Sequence, residues 1–172
     1  LGPAVARRAM AGVYHPVMAL AASRTVGFEA CVRWNSPTFG PVSPDEFIPI
    51  AEEAGLIVGI GQWVLDGALA QVGAWRRDSP SGAAPWVAVN LSARQVEGLG
   101  LVERVSQALA RADVPAEALH LELTESTLMD TVGSSLDTMN ALHDMGIRLS
   151  IDDFGTGYSS LSYLKRLPID TL

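Results

Sequence analysis

The chain has 172 residues, 48% of them hydrophobic, and a formal net charge of −7. That length and apolar content support one domain, or part of one, with a sizeable core, and they argue against intrinsic disorder. The acidic balance argues against binding a nucleic-acid polymer, and the single cysteine, Cys31, excludes an internal disulfide or a multi-cysteine zinc site.

Residues 1–12 read as a linker or the end of a preceding helix. The opening LGPAVARRAM lacks the apolar core of a secretory signal, and no uninterrupted apolar run approaches the roughly 20 residues of a membrane helix. A cytoplasmic location is expected, in a parent protein that is either soluble or membrane-tethered. VYHPVMAL (13–20) and TVGFEACVRW (25–34) read as strands joined by a short polar turn, a predicted hairpin. In the second strand, alternation puts Glu29, Cys31 and Arg33 on one face and Phe28, Ala30, Val32 and Trp34 on the other. SPDEFIPIAEEAG (43–55) carries helix punctuation: a Ser N-cap, an acidic first turn and a terminal glycine. Residues 57–77 predict a longer helix.

After the loop DSPSGAAP come a predicted strand WVAVNLS (86–92), a helix near 101–112 and a strand LHLELTES (119–126). A helix near 134–145 ends at Gly146, followed by IRLSIDDFG (147–155), a short helix around 159–166, and PIDTL as the start of another strand. Alternating strands and helices imply parallel βαβ units, in an open doubly wound sheet or a barrel. Polar groups at successive strand ends favour the barrel: Asn90, then Glu122 and Glu125, then Asp152 and Asp153, with Glu29 on the strand before them. The absence of a GxGxxG turn points the same way.

Each polar residue alone has an ordinary explanation. Glu29 pairs with Arg33, Asn90 caps a turn, Glu122 and Glu125 are solvated or cap a helix, and Asp152-Asp153-Phe-Gly is a turn. Together they form an all-oxygen donor set suited to a hard cation such as Mg²⁺ or Mn²⁺, without the His and Cys ligands that zinc prefers. Two such ions, about 3.5–4 Å apart, are a recurrent solution for phosphodiester hydrolysis.

GFEACVRW, SPDEFIPIAEEAGLI, VAVNLSARQV, LHLELTES and IDDFGTGYSSLSYLKRLPIDTL, in this order, resemble the EAL domain, the bacterial module that linearises cyclic di-GMP to pGpG. The resemblance runs from about Val13 to the end. It implies an α/β fold, a modified (β/α)8 TIM-like barrel with an antiparallel first strand, left incomplete here. It implies metal ligation by Glu29, Asn90, Glu122 and Asp152, in a two-ion arrangement of Mg²⁺ or Mn²⁺, with Asp153 holding the second ion or the attacking water. Glu125 corresponds to the acid that anchors the DDFGTGYSS loop, and Arg33 to the arginine that contacts a substrate phosphate.

This chain departs from the family pattern at Cys31, where the signature has Leu, and at His15, where a Tyr-Gln-Pro element has Gln. Both lie where the substrate is expected. A Lys-x-Asp element is expected immediately after Leu172, so the chain reads as a fragment stopping near the sixth strand. A noncatalytic cyclic di-GMP receptor or protein-interaction module is the competing function. Family members also form homodimers and sit beside GGDEF or sensor domains. A redox role for Cys31 is a weaker idea, and His120 and His143 read as structural.

Overall fold

The computed structural model describes residues 9–78, 84–130, 135–152, 155 and 167–171. The expected hairpin is β1 (Met10–Ala19) antiparallel to β2 (Arg24–Ser36), with His15 opposite Glu29, Val13 opposite Cys31 and Ala11 opposite Arg33. A 3₁₀ turn over Leu20–Ala22 joins them, and Ser23 closes it in the left-handed region at φ 46°. A short strand that the sequence reading did not include, β3 (Gly40–Val42), folds back on the end of β2.

From there the sheet is parallel. β4 (Trp86–Leu91) pairs with β2, β5 (Leu119–Thr124) with β4, and β6 (Arg148–Asp152) with β5, in the order β1-β2-β4-β5-β6. The strand expected at PIDTL registers as a parallel bridge between Thr171 and Ser150. An antiparallel first pair followed by parallel strands is the expected barrel order.

Helices make the crossovers. α1 (Pro44–Glu53) begins with a reciprocal capping box between Ser43 and Glu46 and with Pro44 at its first position. α2 (Ile57–Asp78) returns the chain to the start of β4, with Arg76 and Arg77 at its negative end. By length and composition α2 could cross a membrane, although the sequence reading found no such segment. Its Leu65, Ala68, Leu69 and Val72 are buried in the core. α3 (Ala93–Glu97) and α4 (Leu101–Ala112) precede β5, while α5 (Glu125–Asp130) and α6 (Leu136–Asp144) precede β6.

The two faces of the parallel strands are chemically opposite. Val87, Val89, Leu91, Leu119, Leu121, Leu123, Leu149 and Ile151 are buried against helices, together with Val105 and Leu109 of α4 and Met139 and Leu142 of α6. Along β5 this gives strict alternation of buried and half-buried positions. The other face carries Asn90, Glu122, Ser150 and Asp152, so the apolar flank fixes the register that presents the polar one.

Near the amino-terminal end of these strands, Trp86 stacks on His120 with ring centroids 4.0 Å apart and an interplanar angle of 7°. Gly27 lies directly opposite Trp86, and a Cβ at Gly27 would overlap the indole. Gly27→Ala is therefore expected to destabilise the fold by about 1–3 kcal/mol through overpacking, read from the urea midpoint at unchanged m-value.

Candidate functional site

β2 answers to two environments. Phe28 packs on Trp75 of α2 at 4.3 Å between ring centroids, Trp34 meets Phe47 of α1 edge-on at 5.7 Å, and Ala30 is buried. The opposite face holds Glu29, Cys31 and Arg33. The parallel register then brings in residues distant in sequence. Asn90 stands opposite Glu122, Glu122 opposite Ser150, and Thr124 opposite Asp152.

Glu29 is the hub among the described residues. Its Oε1 accepts a 2.9 Å hydrogen bond from Asn90 Nδ2 and a 3.4 Å contact from the Cys31 thiol. Glu122 is half-buried, and its carboxyl is pushed up to about 7, first by burial and then by the charges of Glu29 and Asp152. Glu122 is thus repelled by carboxylates on two other strands, Glu29 of β2 and Asp152 of β6. A cation placed among them reverses the sign of that interaction, and the donor set, three carboxylates and an amide, is of the all-oxygen kind that Mg²⁺ and Mn²⁺ take. The residues present fit a hard divalent ion.

Glu125 is not at the end of a strand, as the sequence reading had it, but is the first residue of α5. It is buried, with 3% exposure, and its Oε2 accepts a 2.8 Å hydrogen bond from the backbone N–H of Gly155, 30 residues on. Gly155 has φ 94°, a conformation that glycine adopts without strain. Asp153, the expected partner of Asp152, lies outside the described residues, as does the segment predicted as a short helix around 159–166.

Arg33 and Glu29 do not form the ion pair considered from sequence. Arg33 donates to the carbonyl of Val32 at 3.0 Å and to His15 Nε2 at 3.4 Å. His15, across the hairpin, outcompetes a residue two positions along the same strand. Cys31 lies between these groups, and burial followed by the Glu29 charge pushes its thiol up to about 11. A thiol held protonated is a poor nucleophile, which speaks against a redox role for Cys31 alone.

His120 is held neutral: burial first, then the Arg148 charge, push it down to about 4 beneath the Trp86 ring. His143 lies 3.9 Å from Asp170. Ser150, not among the residues expected from sequence, shares the row with Asn90 and Glu122, and the alternation of Arg148, Ser150 and Asp152 in IRLSID is its signal.

The sequence model of one family, described as EAL domain, matches residues 1–172. The chain belongs to the EAL domain family. Among curated relatives, the bifunctional diguanylate cyclase/cyclic di-GMP phosphodiesterase MucR of Pseudomonas aeruginosa is 46% identical over 173 residues, covering 100% of this chain and 25% of the relative. A solved structure described as the PaMucR phosphodiesterase in complex with c-di-GMP superposes with TM-score 0.88 at 46% identity, over 95% of this chain and 66% of that one. The EAL enzyme Bd1971, solved with cAMP and cyclic-di-GMP bound, gives TM-score 0.86 at 32% identity, over 95% of this chain and 45% of that one. This EAL chain therefore spans about a quarter of its curated relative's length. Its fold is the TIM-like barrel of the EAL domain, with a six-stranded sheet among the described residues.

Proposed function

We propose that this EAL domain hydrolyses cyclic di-GMP to pGpG at the carboxyl ends of its strands, using divalent cations held by Glu29, Asn90, Glu122 and Asp152. The observation that carries the reading is the convergence of Glu29 and Asp152 on Glu122, whose charges add to burial in pushing the Glu122 carboxyl up to about 7. Asp153 joins this set by family resemblance. Mg²⁺ or Mn²⁺ bound there, as a pair in this reading, would screen the phosphate charge and make water acidic enough to attack.

The chain's own groups do the positioning. Asn90 fixes the Glu29 carboxylate through Nδ2 and keeps its own oxygen for a cation. Arg33 binds a phosphate oxygen, since its charge has no carboxylate partner among the described residues. Glu125 ties Gly155, three residues beyond Asp152, to the start of α5 and so helps hold Asp152 at the strand end. By analogy with the two-activity MucR, the domain works within a larger signalling protein.

Ion binding expels the Glu122 proton below about pH 7. Mn²⁺ affinity is thus expected to rise about tenfold per pH unit up to about 7 and then level off, as measured by titration calorimetry at pH 5.5–8.5. A flat profile contradicts Glu122 as a ligand.

The second reading, a noncatalytic receptor, is favoured by His15 and Cys31, which reshape the surface beside Arg33. Calorimetry with cyclic di-GMP in the absence of divalent metal, beside a turnover assay with it, separates the two. Tight binding with no pGpG identifies the receptor; pGpG that appears only with metal identifies the enzyme.

A further inference from the structure

The two departures from the EAL pattern do not lie apart. The hairpin register sets His15 directly across from Glu29, with Cys31 two residues along on the same face. Cys31 Sγ is 3.7 Å from His15 Nδ1 and 3.4 Å from Glu29 Oε1. One ligand atom from each of the three residues lies within 4.8 Å of the others.

We propose that His15, Cys31 and Glu29 form a binding site for a thiophilic divalent cation, Zn²⁺ foremost, separate in chemistry from the hard-ion set. Imidazole, thiolate and carboxylate are the ligands zinc takes. Bond lengths of about 2.3 Å to sulfur and about 2.0–2.1 Å to nitrogen or oxygen give a tetrahedron with edges of about 3.5 Å from sulfur to either ligand. The two measured separations from Sγ are already close to such edges, so capture requires small side-chain rotations and no movement of the hairpin. His15 is exposed and its two partners are half-buried, which leaves an entry path and a fourth position for water.

Binding breaks the Cys31 S–H bond and forms a sulfur–metal bond, with the proton passing to solvent and no electron transferred. Arg33 bears on the outcome as well. A guanidinium only donates, so a hydrogen bond over the 3.4 Å contact requires His15 Nε2 to accept and the ring proton to sit on Nδ1. A metal on Nδ1 moves that proton to Nε2 and ends the Arg33 contact. Zinc therefore releases Arg33 and engages Glu29 in one event. That zinc would also compete with Mg²⁺ or Mn²⁺ for Glu29 rests on the proposed function; the site itself does not.

Cobalt is the probe, because a thiolate ligand gives Co²⁺ a near-ultraviolet charge-transfer band and Cys31 is the chain's single cysteine. The band is expected in the full chain and absent in Cys31→Leu. In His15→Gln, zinc affinity measured by cobalt displacement is expected to fall by more than the roughly 10–100-fold typical of losing an outer-shell partner. Both replacements restore the residue types of the family pattern, and circular dichroism confirms the fold. No band at saturating Co²⁺, or a band and zinc affinity unchanged in His15→Gln, overturns the site. Neither readout depends on cyclic di-GMP turnover, so failure here leaves the phosphodiesterase reading standing, and failure of that reading leaves the site standing.

Discussion

Replacing Glu29 by Gln is expected to lower kcat for cyclic di-GMP by about 10²–10³-fold or more, the range seen when one preorganised electrostatic contact is removed. The replacement keeps the size of the side chain and leaves the hairpin intact. It fails chemically because Glu29 Oε1 already accepts from Asn90 Nδ2. An amide preserves that bond only by turning its oxygen to Asn90, which aims its own N–H₂ at the cation. Mn²⁺ affinity falls with kcat, while far-ultraviolet dichroism stays that of the parent. Turnover within a few-fold of the parent removes Glu29 from the site.

Glu122→Gln is expected to have effects of opposite sign on activity and on stability. The folded-state pKa of Glu122 lies above its unfolded value of about 4.5. The stability linked to Glu122 is therefore complete below about pH 4.5 and is lost as pH rises through about 7. At pH 8 and without metal, the buried charge opposes folding, and Gln removes it. The variant gains roughly 1–2 kcal/mol, the linkage value reduced for the solvent that still reaches the carboxyl. The gain vanishes near pH 4.5, and in the presence of Mn²⁺ the parent recovers the lost stability while the variant does not. Urea unfolding at pH 4.5 and 8, with EDTA or with Mn²⁺, reads all of this; a variant less stable than the parent at pH 8 in EDTA contradicts it. Such a gain in stability on removing a functional group is the signature of residues gathered for chemistry.

The strands and longer helices were legible because their side chains repeat. LHLELT alternates buried and half-buried positions as written, and FEACVRW divides into an apolar flank and a polar one. Capping marked Pro44–Glu53, where Ser43 and Glu46 satisfy each other's backbone donors. Short elements escaped. Gly40–Val42 and Ala93–Glu97 are too brief to show a period, and Glu125–Asp130 begins inside what reads as a strand ending. Glu122 and Glu125 look like neighbours at one strand end, yet the turn into α5 sends Glu125 to Gly155.

The site was legible as a set of residues but not as a set of contacts. The bond from Asn90 to Glu29 spans 61 residues and depends on parallel register, which no local pattern encodes. The grouping of His15 with Cys31 needs the hairpin pairing of Val13 with Cys31 and of His15 with Glu29. A shift of that register by one residue would turn His15 to the other face.

Incubating the protein with cyclic di-GMP while titrating Mn²⁺, and following pGpG by chromatography, tests the phosphodiesterase centre most directly. The account predicts pGpG formation that saturates with Mn²⁺, stops on adding EDTA, and is lost in Glu29→Gln. Formation of pGpG that persists in EDTA, or no pGpG at any Mn²⁺ concentration, contradicts it.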